Sequence, residues 1–401
     1  MALLPIPKLV IISFLVLALS TGSSPAYAHG FGERYDLPIP LNMFLIGAAV
    51  TVMVSFVAIG LFVGRRSSGL SYPRLNLLSV PVLGCAISSP LLLGAIRIAS
   101  VAVFTLVILT GLLGTNKPID NLSPTFVWII WWVGMGYVSA LLGNLWILVN
   151  PWKIIYEWAE YLFGTDRKDG DSGLYRYPEN WSVWPAILLF FAFAWIENVY
   201  SSASQPSRLA LLILLYSTIT WAGMTAFGKH QWLRHGEAFS VLFGFFARFS
   251  PIEVRVAGHH PCPTCDPICD DSGSYCVDCY QCFESTSPRN RQLNLRPYAV
   301  GLALPERVTT ATAIFVILAL ATVTFDGLQD SQVWADILAA AFGGLGHTGV
   351  DIVNTLGLII VPALFLLVYL GFSWGMRQMS GMRDTVADTA KSFVFSLVPI
   401  A

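Results

Sequence analysis

The sequence predicts an all-α polytopic membrane protein with about seven complete transmembrane helices and an incomplete eighth, after a cleavable signal peptide. Its 401 residues are 55% hydrophobic and only 12% charged, whereas soluble domains carry about 25% charged residues. Several apolar stretches reach the roughly 20 residues that cross a bilayer. Lys and Arg (23) balance Asp and Glu (24), so no basic field attracts nucleic acid. These observations exclude a soluble enzyme, a disordered chain and a nucleic-acid-binding protein.

Residues 1–28 have the pattern of a signal peptide. Lys8 supplies the positive start, Leu9–Leu19 the apolar segment and Ala26–Ala28 the small-residue cleavage site. The apolar segment is too short to span a bilayer, although an uncleaved anchor is the alternative. We expect the mature chain to begin at His29, outside the membrane, where the terminal amine and the ring can together bind a metal such as copper.

Apolar stretches that can each form a membrane span follow along the chain. They cover 42–63, 95–114, 125–148, 184–200, 208–227, 309–328 and 353–374, and an eighth begins near Lys391 and stops at Ala401. We divide the chain into the signal peptide (1–28), helices 1–5 (29–255, with an interfacial loop at 150–183), a Cys-rich loop (256–308) and helices 6–8 (309–401). The interfacial loop contains an amphipathic run with Trp152, Trp158 and Tyr161, which is expected to lie along the membrane surface.

The distribution of basic residues predicts the orientation. Residues 77–93 are apolar but contain Pro81 and Pro90, and we predict that they lie on the inner surface. With the N-terminus outside, most Lys and Arg then fall in inner loops, as the positive-inside rule requires. A span at 77–93 would instead place most Lys and Arg residues outside the membrane. The Cys-rich loop is therefore expected in the cytoplasm.

Six of the seven Cys residues lie in that inner loop. Their pattern is Cys262-x2-Cys265-x3-Cys269 followed by Cys276-x2-Cys279-x2-Cys282. Thiolates at this spacing bind a soft cation, and a reducing compartment disfavours disulfides. Zinc is the first interpretation, with His259 and His260 as additional ligands, and an iron–sulfur cluster is the alternative. A closed thiolate site is usually structural, which is the role we expect.

Acidic residues and a histidine lie at the outer ends of the spans. His347 and Asp351 are four residues apart, so a helix would place them on one face. Asp326 and Glu197 end two other spans on the same side. Together with His29, these groups can bind a divalent cation and activate a water molecule. The alternative interpretation is that they cap helix ends in a polar interface.

Several motifs resemble bacterial membrane proteins named fenitrothion hydrolases. They are His29–Pro40, Asn121–Trp132, Asn150–Trp152, Trp195–Glu197 with Ser201–Pro206, Gly236–Pro251 and Phe325–Gly327. The motifs extend over most of the chain, so the resemblance concerns the whole architecture. It implies a protein of the bacterial inner membrane that hydrolyses organophosphorothioate triesters.

The resemblance implies an apolar substrate that reaches the site from the lipid bilayer. We hypothesise that Asp326, His347, Asp351 and Glu197 hold a divalent metal that activates the attacking hydroxide. Two other functions stay open. A transporter would use the intramembrane acids as an ion path, and a metal-handling protein would use the zinc-binding loop as its sensor. A partner subunit could complete the last helix.

Overall fold

A computed structural model describes residues 72–164, 173–257, 275–303, 308–342, 346–380 and 384–400, together with helical positions at 43, 46, 47 and 50. The predicted signal peptide and most of the predicted span 42–63 lie outside these residues. The chain forms two compact units, 1–71 with 327–343 and 72–326 with 344–401. In the first unit the described residues include helix Gln332–Phe342. The sites discussed below belong to the second unit.

Helices account for most of the described residues. In chain order the main ones are α1 Pro81–Ile87, α2 Pro90–Leu113, α3 Leu122–Leu141, α4 Pro151–Leu162, α5 Trp184–Asn198, α6 Pro206–Phe227, α7 Ala238–Ala247, α8 Tyr280–Ser285, α9 Thr310–Gln329, α10 Gln332–Phe342, α11 Gly346–Ser380 and α12 Val386–Phe393. Six helical segments of this part of the chain are long and apolar enough to cross a membrane: α2, α3, Glu179–Asn198, α6, α9 and Gly349–Met379. These segments confirm a helical polytopic membrane protein and match six of the seven predicted complete spans.

Proline and capping residues explain where several helices begin. Ser89 accepts a hydrogen bond from the backbone N–H of Leu92, and Pro90 occupies the first position of α2, where a missing N–H costs nothing. Asn150 caps α4 in the same way before Pro151. Helix α1 has only seven residues, too few to cross a bilayer, whereas residues 90–93 of the segment predicted to lie on the surface belong to α2.

The first turn of α4 differs from the expected surface helix. Trp152 is buried, whereas Trp158 and Tyr161 on the same helix are exposed. The Trp152 ring packs against Trp131 of α3 and Tyr216 of α6, with centroids 6.4 and 5.0 Å away. Only the later turns of α4 therefore have the surface character that the sequence predicts.

A small antiparallel sheet accompanies the helices and was not part of the all-α prediction. Its strands are β1 Leu75–Asn76, β2 Ile252–Ala257, β3 Tyr275–Val277 and β4 Arg291–Leu295, in the order β1-β4-β2-β3. Glu253 pairs with Asn294, and Val256 pairs with Cys276. The sheet therefore brings the end of the Cys-rich loop next to the membrane helices.

The last described residues pack against helices α9 and α11. Val394, Phe395 and Val398 are buried in a cluster with Ala313 and Val316 of α9. The hydroxyl of Tyr369 in α11 donates a hydrogen bond to the carbonyl of Ala390 at 2.7 Å. The predicted incomplete eighth span begins near Lys391, inside α12, and stays a prediction.

Candidate functional site

Three cysteine side chains converge where strand β3 turns into helix α8. The sulfur atoms of Cys276, Cys279 and Cys282 all lie within 4.8 Å of one another. Cys276 and Cys282 are buried, and Cys279 is half-buried. We refer to residues 276–282 as the cysteine turn. Of the six Cys residues in the predicted cluster, these three are brought together.

Backbone geometry explains why the thiols meet. Asp278 adopts a left-handed conformation with φ of 54°, which an Asp tolerates better than most residues, and its N–H donates to the carbonyl of Val254 at 2.8 Å. The chain reverses there, so Cys276 on β3 and Cys279 before α8 face each other. Cys282 follows one turn later on α8 and packs with Val256 and Phe283.

A network of buried charged side chains connects the cysteine turn to the sheet. Arg296 contacts Asp278 at 3.0 Å and Glu253 at 3.1 Å. Glu253 also accepts hydrogen bonds from Arg255, Asn294 and the hydroxyl of Tyr72. A buried charge is tolerated only when it is paired in this way, so the network fixes the sheet and the turn together.

Glu253 and Arg248 are among the groups of this region whose pKa departs from its ordinary value. Burial acts to raise the pKa of Glu253, but hydrogen bonds from Tyr72 and Asn294 and the charges of Arg255 and Arg296 outweigh it and lower the pKa. Burial also lowers the pKa of Arg248 to about 10, with help from Arg296 and Arg234 and against the opposing charge of Asp278. Arg248 therefore lies within electrostatic range of Arg234, Arg296 and the Asp278 carboxylate of the cysteine turn.

A cavity of about 280 Å³, which we call the polar cavity, adjoins the cysteine turn. Cys276, Cys279 and Asp278 lie on one wall, and the ends of the membrane helices form the other. Its basic side chains come from α4 (Lys153), from the short helical segments Lys229–Gln231 and Trp232–Gly236 (His230, Arg234 and His235) and from the residue after α7 (Arg248). Small molecules can therefore approach two of the three thiols from this cavity.

The other predicted metal ligands cannot be placed. Cys262, Cys265 and Cys269, with His259 and His260, fall between the described residues 257 and 275. His29 likewise lies before the described residues. Their predicted roles stay predictions.

Two acidic residues at the opposite end of α5 interact electrostatically. Glu197 accepts a hydrogen bond from Trp132 and lies within electrostatic range of Asp326 on α9. From Trp184 to Glu197 the helix rises about 20 Å at 1.5 Å per residue. This acidic end is therefore one helix length away from the polar cavity, to which Val183 contributes.

Asp351 belongs to the same end of the bundle. The Trp195 ring N–H donates a hydrogen bond to the Thr355 hydroxyl at 3.0 Å, and that hydroxyl donates to the Asp351 carbonyl. His347 lies in the first turn of α11, but its side chain is outside the described residues. Of the four predicted catalytic residues, Glu197 and Asp326 interact electrostatically, and the backbone carbonyl of Asp351 takes part in the contact between α5 and α11.

A second cavity, of about 580 Å³, opens within the bundle and is almost entirely apolar. Trp128, Trp131, Phe193 and Tyr216 are among the aromatic residues that line it. We call it the aromatic cavity. Its lining suits an uncharged ligand that arrives through lipid.

Sequence reasoning missed Asp278, Arg296 and Arg248 around the cysteine turn. Asp278 was detectable, since it lies inside the Cys276-x2-Cys279 motif. Arg296 follows a strand that pairs with β2 some 40 residues earlier, and only that pairing reveals its role.

Fold and site define a polytopic membrane protein with a thiol-rich candidate metal centre at one end of its helices. Comparison with models of known protein families, with curated proteins and with solved structures gives no match.

Proposed function

We propose that this protein is a metal-handling membrane protein that binds one thiophilic divalent ion, zinc first, through Cys276, Cys279 and Cys282. The observation that carries the proposal is the convergence of the three sulfur atoms within 4.8 Å. Tetrahedral zinc with bonds of about 2.3 Å holds its sulfur ligands about 3.8 Å apart. A small inward movement of the thiols is enough to reach that spacing.

The same distance favours a single ion over an iron–sulfur cluster. In a four-iron cluster each thiolate binds a different iron, so the sulfurs stand farther apart than around one ion. The predicted alternative also needs a fourth thiolate, and Thr286 stands in its place. The spacing of the three sulfur atoms therefore favours zinc over an iron–sulfur cluster.

The charges around the turn support bound thiolates. Three thiolates and one Zn²⁺ carry a net charge of −1, which the nearby Arg234 and Arg248 help to balance. Nearby cations also favour the thiolate, which is the form that binds metal. Neutral or acidic side chains in place of these cations would disfavour the thiolate form.

We propose that the cysteine turn faces the cytoplasm of a bacterial cell. Basic residues such as Lys153, Lys229 and Arg289 lie at the end of the membrane helices that carries the sheet. Lys117 and Arg208 lie at the opposite ends of α2 and α6. This asymmetry supports the positive-inside orientation. A cytoplasmic location keeps the thiols reduced and able to bind metal.

Cobalt binding to the purified full-length protein, followed by its absorption spectrum, tests the proposal. We expect Co²⁺ to give the intense thiolate-to-metal absorption of a cysteine site, and Zn²⁺ to displace it. Cys276→Ser and Cys282→Ser should each abolish most of this absorption. Cys85→Ser is the matched control, because Cys85 is exposed and lies outside the turn. Unchanged cobalt absorption in both turn variants would refute the proposal.

A second candidate function is hydrolysis at the acidic end, and the proximity of Glu197 and Asp326 favours it. We propose that these carboxylates, with Asp351 and His347, hold a divalent metal that activates water for attack at phosphorus. The resemblance to fenitrothion hydrolases supplies the substrate class, an organophosphorothioate triester. The aromatic cavity supports the proposal by offering an apolar substrate a place within the bundle.

Release of nitrocresol from fenitrothion by membranes that carry the protein tests this second function. We expect the release to depend on metal and to fall at least tenfold in Asp326→Asn and Glu197→Gln. Glu179→Gln is the control, because Glu179 is exposed and lies at the start of the α5 segment. Ion flux without any product release would instead favour transport.

A further inference from the structure

Glu237 is a completely buried acidic residue that neither proposed function uses. It caps α7, where its carboxylate accepts hydrogen bonds from the backbone N–H groups of Phe239 at 3.0 Å and Ser240 at 2.7 Å. The hydroxyl of Tyr216 in α6 donates a third hydrogen bond to the same carboxylate. A buried polar group is costly unless it is hydrogen-bonded in this way, so Tyr216 and Glu237 form one polar unit inside the bundle.

The Tyr216–Glu237 pair lies on the partition between the two cavities. Tyr216 and Phe239 line the aromatic cavity, whereas Ser240 lines the polar cavity. Tyr216 is also near the middle of the membrane helix α6, which extends from Pro206 to Phe227. The pair therefore brings a hydrogen-bonding group to the wall of a cavity that is otherwise almost entirely apolar.

Lining residues of the aromatic cavity are exposed on both α2 and α6. The two helices are in close contact at one point, where a Cβ atom added to Gly111 would lie 2.8 Å from the Cβ of Ala210. Farther along, the lining residues Val103 of α2 and Leu215 and Ile219 of α6 are exposed. A ligand dissolved in the bilayer can therefore enter the cavity from the side, between these helices.

Aromatic rings surround the Tyr216 side chain in the cavity wall. Its ring centroid lies 5.0 Å from that of Trp152 and 5.4 Å from that of Phe239. Trp131 packs against the same Phe239 ring at 4.5 Å. Aromatic rings favour offset-stacked and edge-to-face contacts, and a planar ring of a ligand makes the same contacts with them. The wall therefore suits a ligand that contains an aromatic ring.

We propose that the aromatic cavity binds a lipid-soluble phenol, whose hydroxyl donates a hydrogen bond to the Tyr216 hydroxyl. The single hydroxyl proton of Tyr216 is already donated to Glu237, so its oxygen serves a ligand as an acceptor. Hydrogen bonds in a chain polarise one another, and the Glu237 carboxylate thereby makes the Tyr216 oxygen a better acceptor. The site thus favours a ligand that donates a hydrogen bond over an ether or ester of the same shape.

Two kinds of molecule supply this chemistry. A membrane quinol carries phenolic hydroxyls on a lipid-soluble ring, and hydrolysis of an aryl phosphorothioate triester releases an aryl alcohol with the same group. The second source rests on the second proposed function, and the position of Ile196 favours it, because Ile196 lines the cavity and directly precedes Glu197. The binding site itself rests on neither proposal, since Tyr216 and Glu237 belong to neither metal centre.

Binding of nitrocresol and of its methyl ether to the full-length protein in lipid nanodiscs tests the proposal. Titration calorimetry at a mildly acidic pH keeps the phenol protonated, and empty nanodiscs correct for partitioning into lipid. We expect the wild type to bind nitrocresol about fivefold or more tightly than the ether, which is the effect of one hydrogen bond. Equal affinities, or no binding beyond that of the empty nanodiscs, would overturn the proposal.

Variants of the polar pair locate the hydrogen bond. Tyr216→Phe removes the hydroxyl and keeps the ring, so it should lower the affinity for nitrocresol to that for the ether and leave the ether affinity unchanged. A general loss of structure would lower both. Glu237→Gln removes the charge and should reduce the preference for nitrocresol. Tyr137→Phe is the matched control, because Tyr137 of α3 is 66% exposed and is not among the residues that line the cavity. A full preference in Tyr216→Phe would overturn the proposal.

Competition identifies the source of the phenol. A short-chain benzoquinol that displaces nitrocresol would support a membrane quinol, and its failure to compete would support the aryl alcohol. Asp326→Asn separates this inference from the hydrolase proposal, because phenol binding should be unchanged in this variant even if hydrolysis is lost. Loss of phenol binding in Asp326→Asn would instead assign the ligand to the acidic end, and this would overturn the inference.

Discussion

The Arg296 guanidinium lies 3.0 Å from the Asp278 carboxylate, which joins the end of β4 to the cysteine turn. The same guanidinium contacts Glu253 on β2 at 3.1 Å. One buried cation thus connects two strands and the segment that carries the thiols. The position of the thiols consequently depends on the stability of the sheet, and several predictions for individual residues can be derived from this arrangement.

Replacing Glu253 should destabilise the protein strongly. Glu253→Gln leaves Arg296 and Arg255 without their shared anion, and breaking a buried pair costs about 3–5 kcal/mol. Because the folded-state pKa of Glu253 is lowered, its contribution is present above the unfolded pKa of about 4.3 and is lost as the pH falls through the folded pKa.

Thermal unfolding followed between neutral and acidic pH measures both effects. The wild type should lose stability with acid more steeply than Glu253→Gln in that window. Glu179→Gln provides the control, because it removes an exposed pair with Arg176 that contributes little. Parallel pH profiles for the wild type and Glu253→Gln would contradict the assignment.

Zinc should protect the cysteine turn from alkylation. A metal-bound thiolate is a poor nucleophile, so Cys276, Cys279 and Cys282 should label with maleimide only after chelation. Mass spectrometry of the labelled peptides gives the extent at each site. Exposed Cys85 should label equally with and without zinc. Labelling of the turn that is insensitive to zinc would argue against a metal there.

Adding a single methyl group at Gly223 should disturb the bundle. A Cβ at this position would lie 2.2 Å from the Trp232 ring, so Gly223→Ala must displace the indole. Overpacking of this kind costs about 1–3 kcal/mol. Unfolding in mixed detergent micelles measures the loss.

Gly94 provides the matched control for Gly223. A Cβ at Gly94 in α2 meets no atom within 4 Å, so Gly94→Ala should leave stability unchanged or raise it slightly through helix propensity. Equal effects of the two substitutions would show that the Trp232 contact is unimportant.

Two neighbouring residues of α5 should differ sharply in their effect on stability. Phe190 is fully buried and its ring packs 5.3 Å from that of Phe315 on α9, whereas Leu188 is 67% exposed. Phe190→Ala should cost about 3–5 kcal/mol in the same unfolding measurement. Leu188→Ala should cost much less, because its side chain faces away from the protein core. A large loss in Leu188→Ala would imply that a further surface covers this face.

Local sequence patterns predicted the membrane helices well. Hydropathy and length are properties of a continuous segment, so the six spans of the described residues could be identified without knowing their neighbours. The Cys276-x2-Cys279-x2-Cys282 spacing was equally informative, since a turn and a short helix bring these thiols together. The amphipathic run was found in the same way, but burial of Trp152 was not, because it depends on α3 and α6.

The sequence by itself determined the class of protein, its helical spans and the thiol triplet, all of which arise from contacts between residues close in the chain. Tertiary structure decided the sheet, where Leu75 pairs with Leu295, and the network of Glu253, Asp278 and Arg296. It also decided the proximity of Glu197 to Asp326. No periodic pattern in the sequence predicts these pairings, because their free energy comes from charges and strands that meet only after the chain has folded.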